Sequence, residues 1–143
     1  MPPMDSSSAR PLAALTGAVM IVDEVPYSRG EMNRNLREAG VASIVEVEDS
    51  VTAMQILRNS DQDWALIICD LDVGGLRMVR TLRQDASTPE AHRKVPFIML
   101  TDDTTLAIVT DIREAGANGV VAKPFNPAKL ITTTLNVMAA RRK

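Results

Sequence analysis

The chain has 143 residues, 45% apolar and 24% charged, with a formal net charge of −2; this suits one globular domain and excludes a wholly disordered or fibrous chain. Its apolar runs fall far short of the ~20 residues of a membrane span, and a single cysteine, Cys69, excludes both an intramolecular disulfide framework and a Cys-rich zinc site. One Trp, one Tyr and two Phe on a slightly acidic chain provide neither the basic field nor the stacking surface of a nucleic-acid binder.

Residues 1–16, rich in Pro and Ser and without periodicity, read as a disordered lead; they lack the basic start and long apolar core of a secretory signal. From Gly17 onward, short apolar runs alternate with helical patterns five times. The first run is AVMIV, 18–22, followed by Asp23 and Glu24. Pro26 suits a first helical turn, Met32, Leu36 and Ala39 share one face, and Gly40 is the stop. The second run is ASIVEV, 42–47, before a helix from about Ser50 with Val51, Met54 and Leu57 on its apolar side. The third is WALIIC, 64–69, ended by Asp70; Gly74 and Gly75 open a helix facing inward through Leu76, Val79 and Leu82. A polar loop leads to VPFIML, 95–100, ended by Thr101, then to a helix with Leu106, Val109 and Ile112 that stops at Gly116. The fifth run, GVVA, ends at Lys123; Asn126 and Pro127 cap and start a last helix whose apolar face is Ile131, Leu135 and Met138. The tail, 141–143, is basic and expected to be frayed.

Strands this short and this apolar are buried on both faces, which implies a parallel central sheet covered by helices on each side. Five βα units are too few for an eight-stranded barrel. The expected fold is therefore α/β, a (βα)5 doubly wound open sheet, occupying 17–140.

Ligands of such sheets bind beyond the carboxyl ends of the strands. There the chain places Asp23, Glu24, Asp70, Thr101 and Lys123, each directly after an apolar run. One strand-end Asp alone is commonly a turn former. Three carboxylates on one rim repel unless a cation joins them, and oxygen-only ligands select a hard ion such as Mg²⁺. A lysine and a hydroxyl beside that ion suit phosphoryl oxygens. A carboxylate between them can act as nucleophile and form an acyl phosphate.

The segments AVMIVDEVPYSRGEMNRNLREAG, ALIICDLD, VPFIMLT and GVVAKPFNPAKL, in this order and at these strand ends, resemble the receiver domain of two-component response regulators, of the single-domain chemotaxis kind. The resemblance implies a five-stranded sheet of flavodoxin-like order 2-1-3-4-5. It implies Asp70 as phosphorylated residue and Mg²⁺ as cofactor, held by Asp23, Glu24, Asp70 and the backbone carbonyl of Asp72. It implies Thr101 and Lys123 as the phosphoryl-contacting switch pair, and a cis bond between Lys123 and Pro124. The implied partners are a sensor histidine kinase or histidine phosphotransfer protein and a downstream protein target. No further domain is expected after residue 143, so output is read as protein–protein contact. The setting is cytoplasmic, the state monomer or weak dimer, without nucleic-acid or membrane partners, and the chain is a phospho-acceptor rather than an enzyme.

Four departures bear on that reading. Glu24 stands where Asp is usual. DLDVGGL reaches glycine early in the loop after Asp70. Asp102 and Asp103 follow Thr101 where a small residue leaves room for a phosphodonor. Val120 takes the place of a switching aromatic residue. His92, alone in a polar loop, is read as exposed and non-catalytic, and Cys69 as packing. Two alternatives stay open. One is a receiver fold kept as a phosphorylation-independent interaction module. The other is a haloacid-dehalogenase-type phosphatase using Asp70 and Asp72, since DLDVG resembles that nucleophile motif, although there it normally follows the first strand rather than the third.

Overall fold

The structure, a computed structural model, describes residues 10–141. Five parallel strands, β1 (Ala18–Val22), β2 (Ile44–Val47), β3 (Trp64–Asp70), β4 (Phe97–Thr101) and β5 (Gly119–Ala122), form one sheet in the order β2-β1-β3-β4-β5. Among the described residues, five long helices connect or follow them, α1 (Pro26–Glu38), α2 (Ser50–Asn59), α3 (Gly75–Gln84), α4 (Leu106–Ala115) and α5 (Pro127–Arg141), with one further single turn at Glu90–Arg93. The fold class and strand order are those expected.

The period-2 geometry of the strands divides their side chains between two cores. Met20, Val22, Ile67, Cys69, Phe97 and Met99 face α2, α3 and α4 through Met54, Leu57, Val79, Leu82 and Ile112. Val19, Ile21, Leu66, Ile68, Ile98 and Leu100 face α1 and α5 through Met32, Leu36, Leu130 and Val137. The three inner strands are buried along their whole length, and only the edge strands show partly exposed positions. The cap-and-start pair before α5 forms as read: the Asn126 side-chain oxygen accepts from the Ala128 N–H at 2.8 Å.

The structure corrects four expectations. First, the described part of the expected lead, 10–16, forms a turn that is anchored at Leu12 while residues 10, 13, 14 and 16 are exposed; residues 1–9 lie outside the described range. Leu12 is 3% exposed, sits with Val41 and Leu36 in the α1/α5 core, and its N–H donates to the Ala39 carbonyl at 2.7 Å. The segment crosses so close to Gly40 (φ +112°) that a Cβ there would meet the Ala13 nitrogen at 2.7 Å. Pro/Ser richness around a single anchoring leucine hides this from a pattern reading. Leu12→Ala is expected to cost about 2–4 kcal/mol, the usual range for a buried leucine, seen as a lower urea midpoint. An unchanged midpoint would show the segment detached in solution.

Second, the buried face of α5 is Leu130, Thr134 and Val137, while Leu135 is exposed. Thr134 is tolerated inside because its hydroxyl donates to the Leu130 carbonyl at 2.8 Å; of the expected face, Ile131 packs against this core and Met138 is half-buried, so the miss is Leu135. Third, Val51 and Leu106 point outward, 67% and 83% exposed. Fourth, His92 is buried rather than exposed. It lies in a single helical turn, Glu90–Arg93, with Nδ1 2.7 Å from the Leu57 carbonyl oxygen and Nε2 3.1 Å from that of Gln62. It ties the α3–β4 connection to the C-terminal end of α2, remote from the strand carboxyl ends. The tail expectation is settled only at Arg141, which ends α5; residues 142–143 lie outside the described range.

Candidate functional site

Strand register assembles the site. Val22 pairs with Cys69, so Asp23 and Asp70 leave neighbouring strands side by side. Asp70 pairs with Leu100 and Thr101 with Ala122, which brings Thr101 and then Lys123 to the same rim. Asp23 and Thr101 are each 1% exposed and Asp70 5%.

Asp70 ends the central strand with both carboxylate oxygens engaged. Oδ1 accepts the Asp72 N–H at 2.8 Å, and Oδ2 lies 2.7 Å from Lys123 Nζ. Lys123 also reaches Asp72 Oδ2 at 3.2 Å. Burial alone would lower the Lys123 pKa; the hydrogen bond and charge of Asp70, backed by Asp72, outweigh it and hold the ammonium above its ordinary value. The Lys123–Pro124 bond is cis. Asp23 accepts the Val25 N–H on Oδ1 at 2.8 Å, and its carbonyl accepts from Arg29 Nη1 at 2.7 Å. Arg29 in turn pairs with Glu46 at 3.3 Å. Thr101 Oγ1 is tied into its own turn, accepting the Asp103 N–H at 3.0 Å and donating to the Asp103 carbonyl at 3.1 Å. Cys69 is fully buried, its thiol pKa pushed up by burial and by the charges of Asp70 and Asp23, so it is an inert packing group.

The early glycines have a steric cause. Asp70 starts a tight 3₁₀ turn, Leu71–Val73, closed by Gly74 at φ +83°. A Cβ on Gly75 would meet Met99 Sδ at 2.5 Å and the Asp70 carbonyl oxygen at 2.8 Å. Gly75 thus lets α3 abut the end of β3 and fixes the Asp70 backbone. Gly75 and Arg29 are site residues that the sequence reading did not assign; the signal available for Gly75 was its place opening a helix directly after the strand-end acid.

Glu24 is exposed, whereas Asp23 and Asp70 are buried. Among the described residues no group of three or more His, Cys, Asp or Glu side chains is placed to hold a metal. The Asp23–Asp70 pair still fits a hard ion that keeps most of its waters, because such an ion needs only one or two carboxylates. Burial first, and then the charge of Asp70, raises the Asp23 pKa above 3.8, and cation binding would relieve this strain.

The sign of that shift sets a prediction. A native carboxylate that holds its proton more tightly than the unfolded one makes stability fall as pH rises from 3.8 to the raised value, and the cost persists above both. Asp23→Asn removes it. The metal-free variant is expected to melt above the parent at pH 7, with no further rise on adding MgCl₂, in differential scanning calorimetry. A lower midpoint would show that the carboxylate is stabilising as it stands.

The model of the response regulator receiver domain matches residues 19–135. The chain belongs to this family. It is 27% identical over 112 residues to chemotaxis protein CheY-3 of Vibrio cholerae, covering 78% of this chain and 84% of that one. A crystal structure of a response regulator from Chloroflexus aurantiacus superposes with TM-score 0.74 at 26% identity, covering 86% of this chain and 98% of that one. The receiver domain of a sensor histidine kinase from Pseudomonas aeruginosa, described with magnesium coordinated in its active-site cleft, shares the fold with TM-score 0.71 at 24% identity, over 86% and 98% of the two chains. This receiver is therefore a signalling domain of the two-component type, and no helix among its described residues is long and apolar enough to cross a membrane.

Proposed function

We propose that residues 17–140 act as a phospho-acceptor in which Asp70 is the modified residue. One observation carries the reading: a buried carboxylate ends the central strand 2.7 Å from a lysine and beside a second buried carboxylate of raised pKa. An Asp70 oxygen attacks the donor phosphorus, the bond from phosphorus to the donor breaks, and an acyl phosphate forms. The donor is a histidine kinase or histidine phosphotransfer protein, the output contact with a protein target, and the setting cytoplasmic. Asp23 and Asp70, with the Asp72 carbonyl and Glu24 as further donors, would hold a magnesium ion, which would neutralise phosphoryl charge there. Lys123 is positioned to pair with phosphoryl oxygens. The receiver family and the third-strand position of Asp70 favour this over a phosphatase of the haloacid-dehalogenase type.

Incubation with acetyl phosphate and MgCl₂ is expected to add about 80 daltons, one phosphoryl group, and chelation to prevent it. No gain under any magnesium concentration would leave the phosphorylation-independent interaction module as the reading.

Signal transmission is expected to run through the β4–α4 loop. Thr101 must leave its Asp103 partners to reach a phosphoryl group, whereas Val120 is partly buried, β-branched and stiff at χ1. Asp103 is itself held, its carboxylate accepting the Thr105 N–H at 3.0 Å. Addition of beryllofluoride should shift the amides of 101–105 strongly and those of 118–121 and 128–138 little. Equal shifts across both regions would assign the switch to another side chain.

A further inference from the structure

Arg29 is a cation in an unfavourable place. It is the fourth residue of α1, and a positive charge near the amino end of a helix opposes the helix dipole. Its side chain is only 13% exposed, and a guanidinium loses hydration on burial. Helix stability does not account for it, so the contacts it makes have to. Nη1 donates to the Asp23 carbonyl at 2.7 Å. Nε lies 3.3 Å from Glu46 Oε1 on β2, within ion-pair range but out of hydrogen-bond alignment. Glu46 is held from the other side, where its Oε2 accepts from Asn33 Nδ2 at 3.0 Å.

These contacts converge on one residue of the site. β1 ends at Val22, so Asp23 leaves the sheet with a carbonyl that no strand pairs. Its N–H still donates to the Val47 carbonyl at 3.0 Å, and Arg29 takes the carbonyl. The two bonds hold the peptide planes on either side of the Asp23 Cα. The Val25 N–H then takes Oδ1 at 2.8 Å, while among the described residues no hydrogen bond is made to Oδ2. A carboxylate pinned through its main chain and one oxygen presents the other oxygen in a fixed direction, as a magnesium ion with strict geometry requires. The charge of Arg29 matters less than its reach. Burial, the Val25 N–H and the charges of Asp70 and Lys123 all act on the Asp23 carboxyl more strongly than the Arg29 charge does.

We propose that Arg29 is a positioning residue for the divalent-cation site: anchored at Glu46, it holds the Asp23 main chain so that the carboxylate stays in place to bind magnesium. The proposal rests on the Asp23–Asp70 pair being the magnesium site. Charge alone predicts the opposite effect. Removing a cation beside a cation site, and leaving Glu46 uncovered, should strengthen Mg²⁺ binding. Loss of positioning should weaken it, because groups that orient a metal ligand typically change affinity by about 10–100-fold.

The test is isothermal titration calorimetry of the full chain with MgCl₂, without a phosphodonor. Arg29→Met keeps most of the stem and removes the guanidinium; it is expected to raise the Mg²⁺ Kd about tenfold. Arg29→Lys keeps the charge and covers the case in which the methionine variant does not fold. It should still bind about threefold more weakly or worse, because one ammonium cannot reach both Glu46 and the Asp23 carbonyl. In the metal-free protein, the Val25 amide should exchange with solvent faster in either variant, relative to the Leu36 amide inside α1. Unchanged or tighter Mg²⁺ binding in a folded Arg29 variant would overturn the proposal, and so would unchanged Val25 exchange. A parent that binds no Mg²⁺ would overturn it together with the magnesium reading. Mg²⁺ binding by a parent that acetyl phosphate never labels would overturn the phospho-acceptor reading and leave this proposal standing.

Discussion

Asp70→Asn is expected to reduce labelling by acetyl phosphate to background while leaving the fold intact. The amide keeps the shape of the carboxylate, and its oxygen can still accept the Asp72 N–H now made at 2.8 Å. What it loses is the negative oxygen that attacks phosphorus. Two electrostatic changes oppose each other in stability. The Lys123 pair at 2.7 Å is lost, and the repulsion that helps raise the Asp23 pKa is relieved. The net change should therefore stay within about 1 kcal/mol, the scale on which such partly screened pairs balance. Intact-mass spectrometry gives the label and a urea titration gives the stability. A phosphoryl group still carried by a well-folded variant would move the acceptor to another carboxylate, with Asp23 and Asp72 the next to replace.

The largest loss of stability should come from Arg83, a residue with no part in the chemistry. Its guanidinium is a clamp. Nε and Nη2 donate to the Gly116 carbonyl at 3.1 and 2.9 Å, and Nη1 donates to those of Arg93 and Val95 at 2.8 and 2.7 Å. Nη2 also reaches Asn118 Oδ1 at 3.0 Å, and that oxygen accepts the Phe97 N–H at 2.8 Å. One side chain thereby joins α3 to the end of α4, the entry to β4 and the entry to β5. Burial, and then the nearby Arg141 charge, lowers its pKa, yet an arginine stays charged. Hydrogen bonds from a charged donor are each worth about 1.5–3 kcal/mol, and orphaned carbonyls add their own penalty. Allowing for partial rehydration, Arg83→Ala should cost about 3–4 kcal/mol, equivalent to a fall of ~10 °C in Tm. Arg83→Lys should recover less than half, because one ammonium cannot span the fork of acceptors. A loss under ~1 kcal/mol for the alanine variant would mean that water replaces the clamp at little cost.

The order of elements, the parallel doubly wound sheet and the rim position of Asp23, Asp70, Thr101 and Lys123 were legible in the sequence. Each depends on local features: apolar runs of strand length, a polar residue ending each run, and Pro, Asn and Gly at helix boundaries. Gly119–Ala122 and Ala18–Val22 form strands at the expected residues, and Pro26 and Pro127 open their helices. Local pattern carries no information about distances between elements. Which rim carboxylates meet depends on strand register, and the structure joins Asp23 to Asp70 while Glu24 faces solvent. The inward turn of His92, read by pattern as surface, and that of Arg83, which the pattern left unassigned, are decided by backbone carbonyls contributed from segments 10–35 residues away. The burial of Leu12 and the choice of Thr134 over Leu135 are likewise set by the surface that each segment meets. Hydrophobic periodicity records the average preference of a side chain for the interior. Only packing supplies the specific partners that make a buried polar group affordable or leave an apolar one, such as Val51, in water.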